Sequence, residues 1–405
     1  MQNIWIFYQD GGTPKQGWGD RHYFLAKYYD KKKYKVTIFS ANECHMYSEP
    51  VQFTGNYWLT DYNGLSYCWI KVNHYKKSNS VKRIIAWVQF TFKLFFLLRL
   101  KIGKPDIIIV SSMPMFPILP AFYYKFFYRT KVIFEVRDIW PLTILQMGDY
   151  SRINPFVLIM RLIEKLAYRY SDYLVSVLDK AYLHFEDSVK FNFRFQWISN
   201  GIDEEVILDS NDSVHLLPSN KFIVGYAGKM NVSNAVEFIV EAARHLTEYD
   251  NIHFVFIGDG DERDQLVEYS KKLNNVTFIP KVKKHELHGL IKCFNVAIIS
   301  FRNLDIYKYG ISTNKLFDYL VAGVPIVMAS SHDHSAFTES RAIFMAESEN
   351  PLAISKAILQ IYELPEGSIN EIKSLTPEFA LKNFTYRQLS KRYETIFNDL
   401  VDSKM

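Results

Sequence analysis

Short, unbroken apolar runs constrain this chain more than anything else in it. "DIIIVSS" (106–112), "KVIFEVRD" (131–138), "DYLVSV" (172–177), "KFIVGYAG" (221–228), "IHFVFIGDG" (252–260) and "NVAIIS" (295–300) are β-branched and do not alternate polar with apolar residues. A strand that faces water on one side alternates. One that does not alternate is covered on both sides, which is the situation of a parallel sheet sandwiched between helices. "NIWIFYQ", "KVTIFSA", "LSYCWIKV", "FQWISNGID", "NVTFIP" and "PIVMAS" extend the series. Helical windows fall between the strands, near 18–31, 81–102, 116–128, 140–170 and 180–190, then 233–246, 262–273 and 284–292. Strand–helix alternation of this kind builds βαβ units and an α/β, doubly wound sheet.

A chain of 405 residues is too long for one such sheet; two domains of about 150–200 residues each are expected. The alternation lapses over 204–220, "EEVILDSNDSVHLLPSN", which reads as a linker between a first domain (1–203) and a second (221–384). A closing amphipathic helix, "YRQLSKRYETIFNDL" (386–400), could pack on either. Hydrophobic content of 48% and charged content of 22% are ordinary for a globular protein. The net charge of +5 is mild. It does not call for nucleic acid and suits an anionic ligand or membrane surface. Three cysteines without CxxC spacing give no disulfide framework, so a reducing compartment is expected. The first strand begins at once, so no signal peptide is expected, and no run is long and apolar enough to span a membrane.

Ligands of open parallel sheets bind beyond the carboxyl ends of the strands. Three features of the second half converge there. In "GYAGKM", Gly225 and Gly228 flank a strand end and Lys229 follows. "FIGDGDERDQL" is a strand, a glycine turn at Gly258 and an acidic helix start. "STNKLFDYLVAGVPIV" (312–327) opens a helix whose first amides, from Thr313, Asn314 and Lys315, are free to hold a phosphate. Asp318 lies one turn further in, where a carboxylate can accept from the paired hydroxyls of a sugar. Gly323 and Pro325 then stop the helix.

These stretches, with "YAGKMNVSNAVEFIVEAARHL", "NVTFIPKV" and the hinge "ISNGID", resemble glycosyltransferase family 4 in that family's order. "FEVRDIWPLTILQMG" resembles a bacterial subgroup that builds O-antigen and capsule polysaccharide and includes N-acetylfucosamine-type transferases. The resemblance implies the GT-B fold, two Rossmann-like domains facing across a cleft, with the closing helix (385–405) returning to the first. It implies a retaining, metal-independent transferase with no cofactor. The donor would be a nucleotide sugar, UDP-linked before GDP-linked, and the acceptor a saccharide on a polyprenyl diphosphate. Amides of Thr313, Asn314 and Lys315 would hold the diphosphate, with Lys229 neutralising it, and Asp318 would bind the ribose. The strand end from Ile279 to Val282 would meet the base through its backbone. Gly11 and Gly12 would let the first loop approach the donor, and Arg137 and Asp138 would stand where many relatives carry a histidine at the donor sugar. Two departures are plain, and Arg137 in place of that histidine is the first. The E-x(7)-E pair would need an acid eight residues before Asp318, and that position is Gly310. Two other readings follow from the same chain: a UDP-sugar 2-epimerase of the same architecture, and a degenerate nucleotide-binding subunit.

Metal signals are weak. "DGD" (259–261) sits in a glycine turn, "HELH" (285–288) is not HExxH, and "HDH" (332–334) reads as a polar loop. "GGTPKQGWG" does not spell a dinucleotide fingerprint. In "VKRIIAWVQFTFKLFFLLRLKIGK" (81–104), Lys82, Gln89, Lys93 and Lys104 fall near whole helical turns apart, while Ile84, Trp87, Val88, Phe95, Leu98 and Ile102 crowd the other side. Basic residues beside bulky aromatics suit a helix lying on an anionic bilayer, with "AFYYKFFYR" (121–129) extending the surface. The expected location is the cytoplasm, peripheral at the inner face of the bacterial cell membrane.

Overall fold

The structure is a computed structural model and describes residues 1–75, 80–148, 150–207 and 214–402. The chain divides into two compact units, one formed by Met1–Ser199 with the segment from Tyr386 onward, the other by Asn200–Thr385.

The first unit holds strands β1 (Gln2–Phe7), β2 (Tyr34–Ala41), β3 (Tyr57–Tyr62), β4 (Leu65–Ile70), β5 (Ile107–Ser111), β6 (Lys131–Val136), β7 (Tyr173–Ser176) and β8 (Phe195–Trp197). They form one sheet in the order β3-β4-β2-β1-β5-β6-β7-β8. Every pairing is parallel except β3 with β4. Its helices are α1 (Arg21–Lys27), α2 (Val81–Leu94), α3 (Ile118–Tyr128), α4 (Leu142–Met147), α5 (Pro155–Tyr170) and α6 (Ala181–Ser188). The second unit runs β9 (Phe222–Ala227), α7 (Val236–Arg244), β10 (Ile252–Ile257), α8 (Arg263–Ser270), β11 (Val276–Ile279), α9 (Lys284–Lys292), β12 (Val296–Ser300), α10 (Asn314–Val321), β13 (Ile326–Ala329), β14 (Ile343–Ala346), α11 (Pro351–Tyr362) and α12 (Glu366–Phe384). Its sheet is all parallel, in the order β11-β10-β9-β12-β13-β14.

The unbroken apolar runs are buried as their composition requires: β5, β7, β12 and β13 expose no residue. The closing helix α13 (Tyr386–Asp402) inserts Leu389, Tyr393, Phe397 and Leu400 into the core of the first unit. Tyr386 stacks on Phe24 at 5.1 Å and Phe397 meets Tyr34 at 5.3 Å.

Four differences from the sequence reading have physical causes. Strand β3 lies in a stretch that shows no pattern because it is a half-exposed edge strand; its turn into β4 is Asn63-Gly64, both at positive φ (52° and 77°), the signature of a tight hairpin. Strand β14 and helices α11 and α12 follow "PIVMAS" without a motif to announce them. Helix α2 ends at Leu94 rather than near 102, so Lys104 shares no helical face with Lys82; Trp87 is buried while Val88 points outward. The second unit starts at Asn200 rather than 221, and the proposed linker contains short 3-10 turns at Glu204–Ile207 and Val214–Leu216; residues 208–213 lie outside the described residues.

Candidate active site

The site is built at the start of α10. Asn200 fixes the approach: its amide N–H donates to Ser312 Oγ at 2.8 Å and its side-chain Nδ2 to the Ser312 carbonyl at 2.6 Å. Thr313 is extended (φ −76°, ψ 137°) and its side chain makes no cap bond. The first amides of α10 have no acceptor one turn back within the helix, and the helix dipole adds partial positive charge there. The inner face of α10 is buried through Leu316, Phe317, Tyr319 and Leu320. The Tyr319 hydroxyl receives the Ala227 amide at 2.8 Å, which ties this helix to the carboxyl end of β9.

The loops after β9 and β10 pack against each other with no room for side chains. Gly228 and Gly258 hold φ of 151° and 145°. A Cβ on Gly258 would fall 2.0 Å from the Gly228 carbonyl oxygen, and one on Gly228 would fall 2.9 Å from Lys315 Cδ. Backbone bonds continue the lacing: Gly228 donates to the Ile257 carbonyl at 2.9 Å and Gly258 to the Ile279 carbonyl at 3.1 Å. Ile279 is therefore buried with its carbonyl engaged, and Val282 is half-buried beyond it.

Between these loops and α10 runs the side chain of Lys315. Its ammonium donates to the Tyr226 hydroxyl at 3.0 Å and to Asn234 Oδ1 at 2.6 Å, and lies 4.6 Å from the centre of the Tyr226 ring. Both partners are neutral, and among the described residues no carboxylate reaches it. Burial pushes its pKa down to about 7. Lys229, the cation singled out from the sequence, is exposed; it enters the site through its carbonyl, which accepts from Tyr226 at 2.7 Å and Asn234 at 2.9 Å. The structure thus places a different lysine beneath the glycine loops. Asp318 is half-buried, and His288 Nε2 of α9 comes to 3.6 Å from its Oδ1. The sequence analysis weighs His288 only as part of "HELH", because a histidine on the buried side of an amphipathic helix shows its role only once its neighbour is known.

In the first unit, Gly11 and Gly12 are buried and crowded by their own surroundings: a Cβ on Gly11 would meet Tyr8 Cδ1 at 2.7 Å, and one on Gly12 the Trp18 carbonyl at 2.3 Å. Arg137 receives orientation from its amide bond to Ser112 Oγ at 3.0 Å and from Tyr8, whose hydroxyl accepts from the guanidinium and whose ring centre lies 5.1 Å away. Asp138 is exposed. Two acids escaped the sequence reading. Asp10 is buried in the loop after β1; burial raises its pKa to about 6, with Arg83 and Cys44 pulling it back. Glu135 has no exposed surface and accepts from Arg21 at 3.0 Å, Ser111 at 2.5 Å and Tyr393 at 2.6 Å, with His22 Nε2 at 2.7 Å. Burial alone would raise its pKa, yet Arg21 and His22 hold it well below the usual carboxylate range. Among the described residues no three His, Cys, Asp or Glu side chains converge, and Asp259 and Asp261 lie in the loop between β10 and α8.

Residues 221–364 match the family of glycosyl transferases group 1. No curated protein matches the chain in sequence. Among solved structures, sucrose-phosphate synthase from Thermosynechococcus elongatus is similar at TM-score 0.76, with 12% identity over 100% of both chains. The E. coli trehalose-6-phosphate structure with bound UDP-2-fluoro glucose gives a TM-score of 0.72, 12% identity, and 98% and 99% coverage of this chain and that one. HepE of Anabaena in complex with UDP and glucose gives 0.66, 13%, and 98% and 100%. Identities this low carry the fold alone: α/β, two Rossmann-like doubly wound domains of the GT-B type.

Proposed function

We propose that this chain is a retaining glycosyltransferase that moves a sugar from a UDP-sugar to a saccharide carried on a polyprenyl diphosphate, in the synthesis of a bacterial surface polysaccharide. The sugar is an N-acetylamino sugar of the N-acetylfucosamine type. The observation that carries the reading is the cation at Lys315, half-buried with no anion among the described residues, at the free amide end of α10 and one turn from Asp318. A nucleoside diphosphate brings two phosphates to the ammonium and the amides, and its ribose hydroxyls to the Asp318 carboxylate. The group 1 family match over 221–364 and the UDP and UDP-sugar ligands in structurally similar proteins support it.

In this reading the bond between the sugar's anomeric carbon and the β-phosphate oxygen breaks, and its electrons go to the departing diphosphate. Lys315 and the amides of Thr313, Asn314 and Lys315 stabilise that charge, which is where electrostatic preorganisation counts most. The acceptor hydroxyl attacks from the same face and passes its proton to the leaving phosphate oxygen. No metal or cofactor enters. From the first unit the resemblance assigns Arg137, which is held over Tyr8, together with Asp138, Gly11 and Gly12, to the donor sugar. The enzyme works at the inner face of the cell membrane.

A thermal-unfolding panel with UDP, GDP and their sugar conjugates tests the donor. Saturating UDP, at a hundred times its Kd, stabilises by about 2.7 kcal/mol and raises the midpoint more than GDP does. No response to any nucleotide sinks the reading; a response to UDP with no transfer from any UDP-sugar turns it into the degenerate binding subunit.

A further inference from the structure

Three helices on one face of the first sheet carry a surface that no packing within the unit uses. Helix α2 is apolar on two sides. Ala86, Trp87, Phe90 and Leu94 face the core, while Val81, Ile85, Val88 and Phe92, also at helical spacing, are exposed. Helix α3 shows Phe126 at 80% exposure, and α5 shows Leu158, Ile159 and Leu162, the last at 59%. The three helices are neighbours: Trp87 stacks on Phe156 at 6.4 Å, Phe95 meets Tyr123 at 5.6 Å and Phe122 meets Tyr170 at 6.1 Å. A groove of about 570 Å³ runs between α2 and α3, lined by Phe92, Phe96, Leu98 and Tyr123 with Arg99 at its edge. Exposed apolar surface of this extent marks an interaction site.

Charge identifies the partner. Residues 81–104 contain six Lys and Arg and no acid, α3 with Arg129 contains two and none, and α5 contains three and one acid, Glu164. Glu164 is buried and bonded to Tyr168 and His184. Asp172, beside α5, is already paired with Lys125 at 2.7 Å. A face of one sign repels its own copy, which counts against a dimer through it. Large apolar residues rimmed by cations match a bilayer with anionic headgroups. Among the described residues no helix is long and apolar enough to cross a membrane.

We infer that α2, α3 and α5 together form a docking face for an anionic lipid bilayer, with the α2–α3 groove accommodating a hydrocarbon chain. The face adds α5 and the α2–α3 groove to the membrane contact expected over 81–104 and 121–129, and its use rests on the lipid-linked acceptor of the proposed function, though its evidence does not. Helices α2 and α5 press their exposed stripes into the interface while Lys82, Arg99, Lys165 and Arg169 meet the headgroups.

Co-sedimentation with vesicles of phosphatidylglycerol mixed with phosphatidylcholine tests this on the full chain. Wild type pellets with these vesicles, pellets far less with phosphatidylcholine alone, and is released by salt. The pairs Val88→Ser/Phe92→Ser and Leu158→Ser/Leu162→Ser each lower binding by about tenfold. Equal binding to neutral vesicles, an α5 pair that binds as wild type, or a wild-type dimer dispersed by the same changes would each overturn the inference. If a serine pair does not fold, Lys165→Gln/Arg169→Gln replaces it: weaker binding supports the face and unchanged binding overturns it. UDP titrations run in parallel separate the two readings. A chain that binds UDP but no vesicle defeats the docking face alone, and one that binds vesicles but no nucleotide defeats the transferase alone.

Discussion

Each unit of this molecule withdraws a charge from water near the carboxyl edge of a parallel sheet, Glu135 fully and Lys315 in part, and the two charges are treated in opposite ways. Glu135, at the end of β6, is enclosed by Arg21, His22, Ser111 and Tyr393, and Arg21 is itself held by the carbonyls of Ile198 and Ser199 at 2.8 and 2.5 Å. Every demand of that carboxylate is met from within, by side chains of α1, β5 and α13. Lys315, at the start of α10, has a phenol and an amide for company and, among the described residues, no anion. A buried charge that is already matched holds a fold together. In the proposed function a bound diphosphate matches the other, whose pKa is depressed by its desolvation.

The sharpest break of that comparison is at Glu135. Glu135→Gln keeps the shape and removes the charge, which leaves the Arg21 guanidinium buried without its anion. Breaking a buried pair from one side costs about 3–5 kcal/mol, so urea unfolding of the first unit should move by that amount while UDP affinity in the second unit does not. The pH dependence has a fixed sign. Because the folded-state pKa of Glu135 lies below its unfolded value, its stabilisation is complete above the ordinary carboxylate range and is lost as pH falls through the folded value. An unfolding free energy that ignores the substitution would show that the cluster is decoration rather than a clamp on α13.

Lys315 should respond the other way round. Lys315→Met removes an unmatched charge, so folding is unharmed or improved, yet UDP affinity falls about 10–100-fold, or roughly 1.4–2.7 kcal/mol. Protonation sharpens the test. The folded pKa near 7 lies below the unfolded value, so burial's penalty on the ammonium is absent at very high pH, grows as pH falls toward 7 and is constant below it. A bound diphosphate favours the charged form. Calorimetry at pH 8 in buffers of different ionisation enthalpy should therefore find close to one proton taken up per UDP, and affinity should fall by up to about tenfold per unit above pH 7. Proton uptake that survives in Lys315→Met would assign the titration elsewhere.

The alternation of buried strands and helices was legible because covering a sheet on both faces leaves a compositional mark; twelve strands appear as apolar runs, while β3, a half-exposed edge strand, and β14, four residues of which one is buried, do not stand out. Motifs pointed to the start of α10 and to the loops after β9 and β10, which the structure brings together. What they could not convey was direction. "GKM" and "TNKL" each offer a lysine, and only the path of the Lys315 side chain past Gly228 shows which one lies underneath. Glu135 was in plain view in "FEVRD", but its partners come from residues 21, 22, 111 and 393, distances in sequence that no local pattern spans. Gly310 reads as a missing acid in the sequence. In the structure it has φ of 107°, a conformation that an L-side chain adopts only under strain, so the backbone there is built around glycine and a glutamate could not simply be restored.

The smallest expected effect separates the two lysines. Lys229 is exposed and, among the described residues, its ammonium bonds to nothing, while its carbonyl accepts from Tyr226 and Asn234. Lys229→Ala keeps that carbonyl. Its effect on stability should stay within about 0.5 kcal/mol, as for surface positions generally, and its effect on UDP affinity should stay under about threefold, since an exposed charge acts through water and salt. Titrations at low and high salt measure both parts of that claim, because a residual long-range attraction disappears with salt while a direct contact persists. A salt-independent loss as large as that of Lys315→Met would mean the exposed lysine folds over the bound diphosphate, and the unmatched charge beneath the glycine loops would then be only half of the phosphate site.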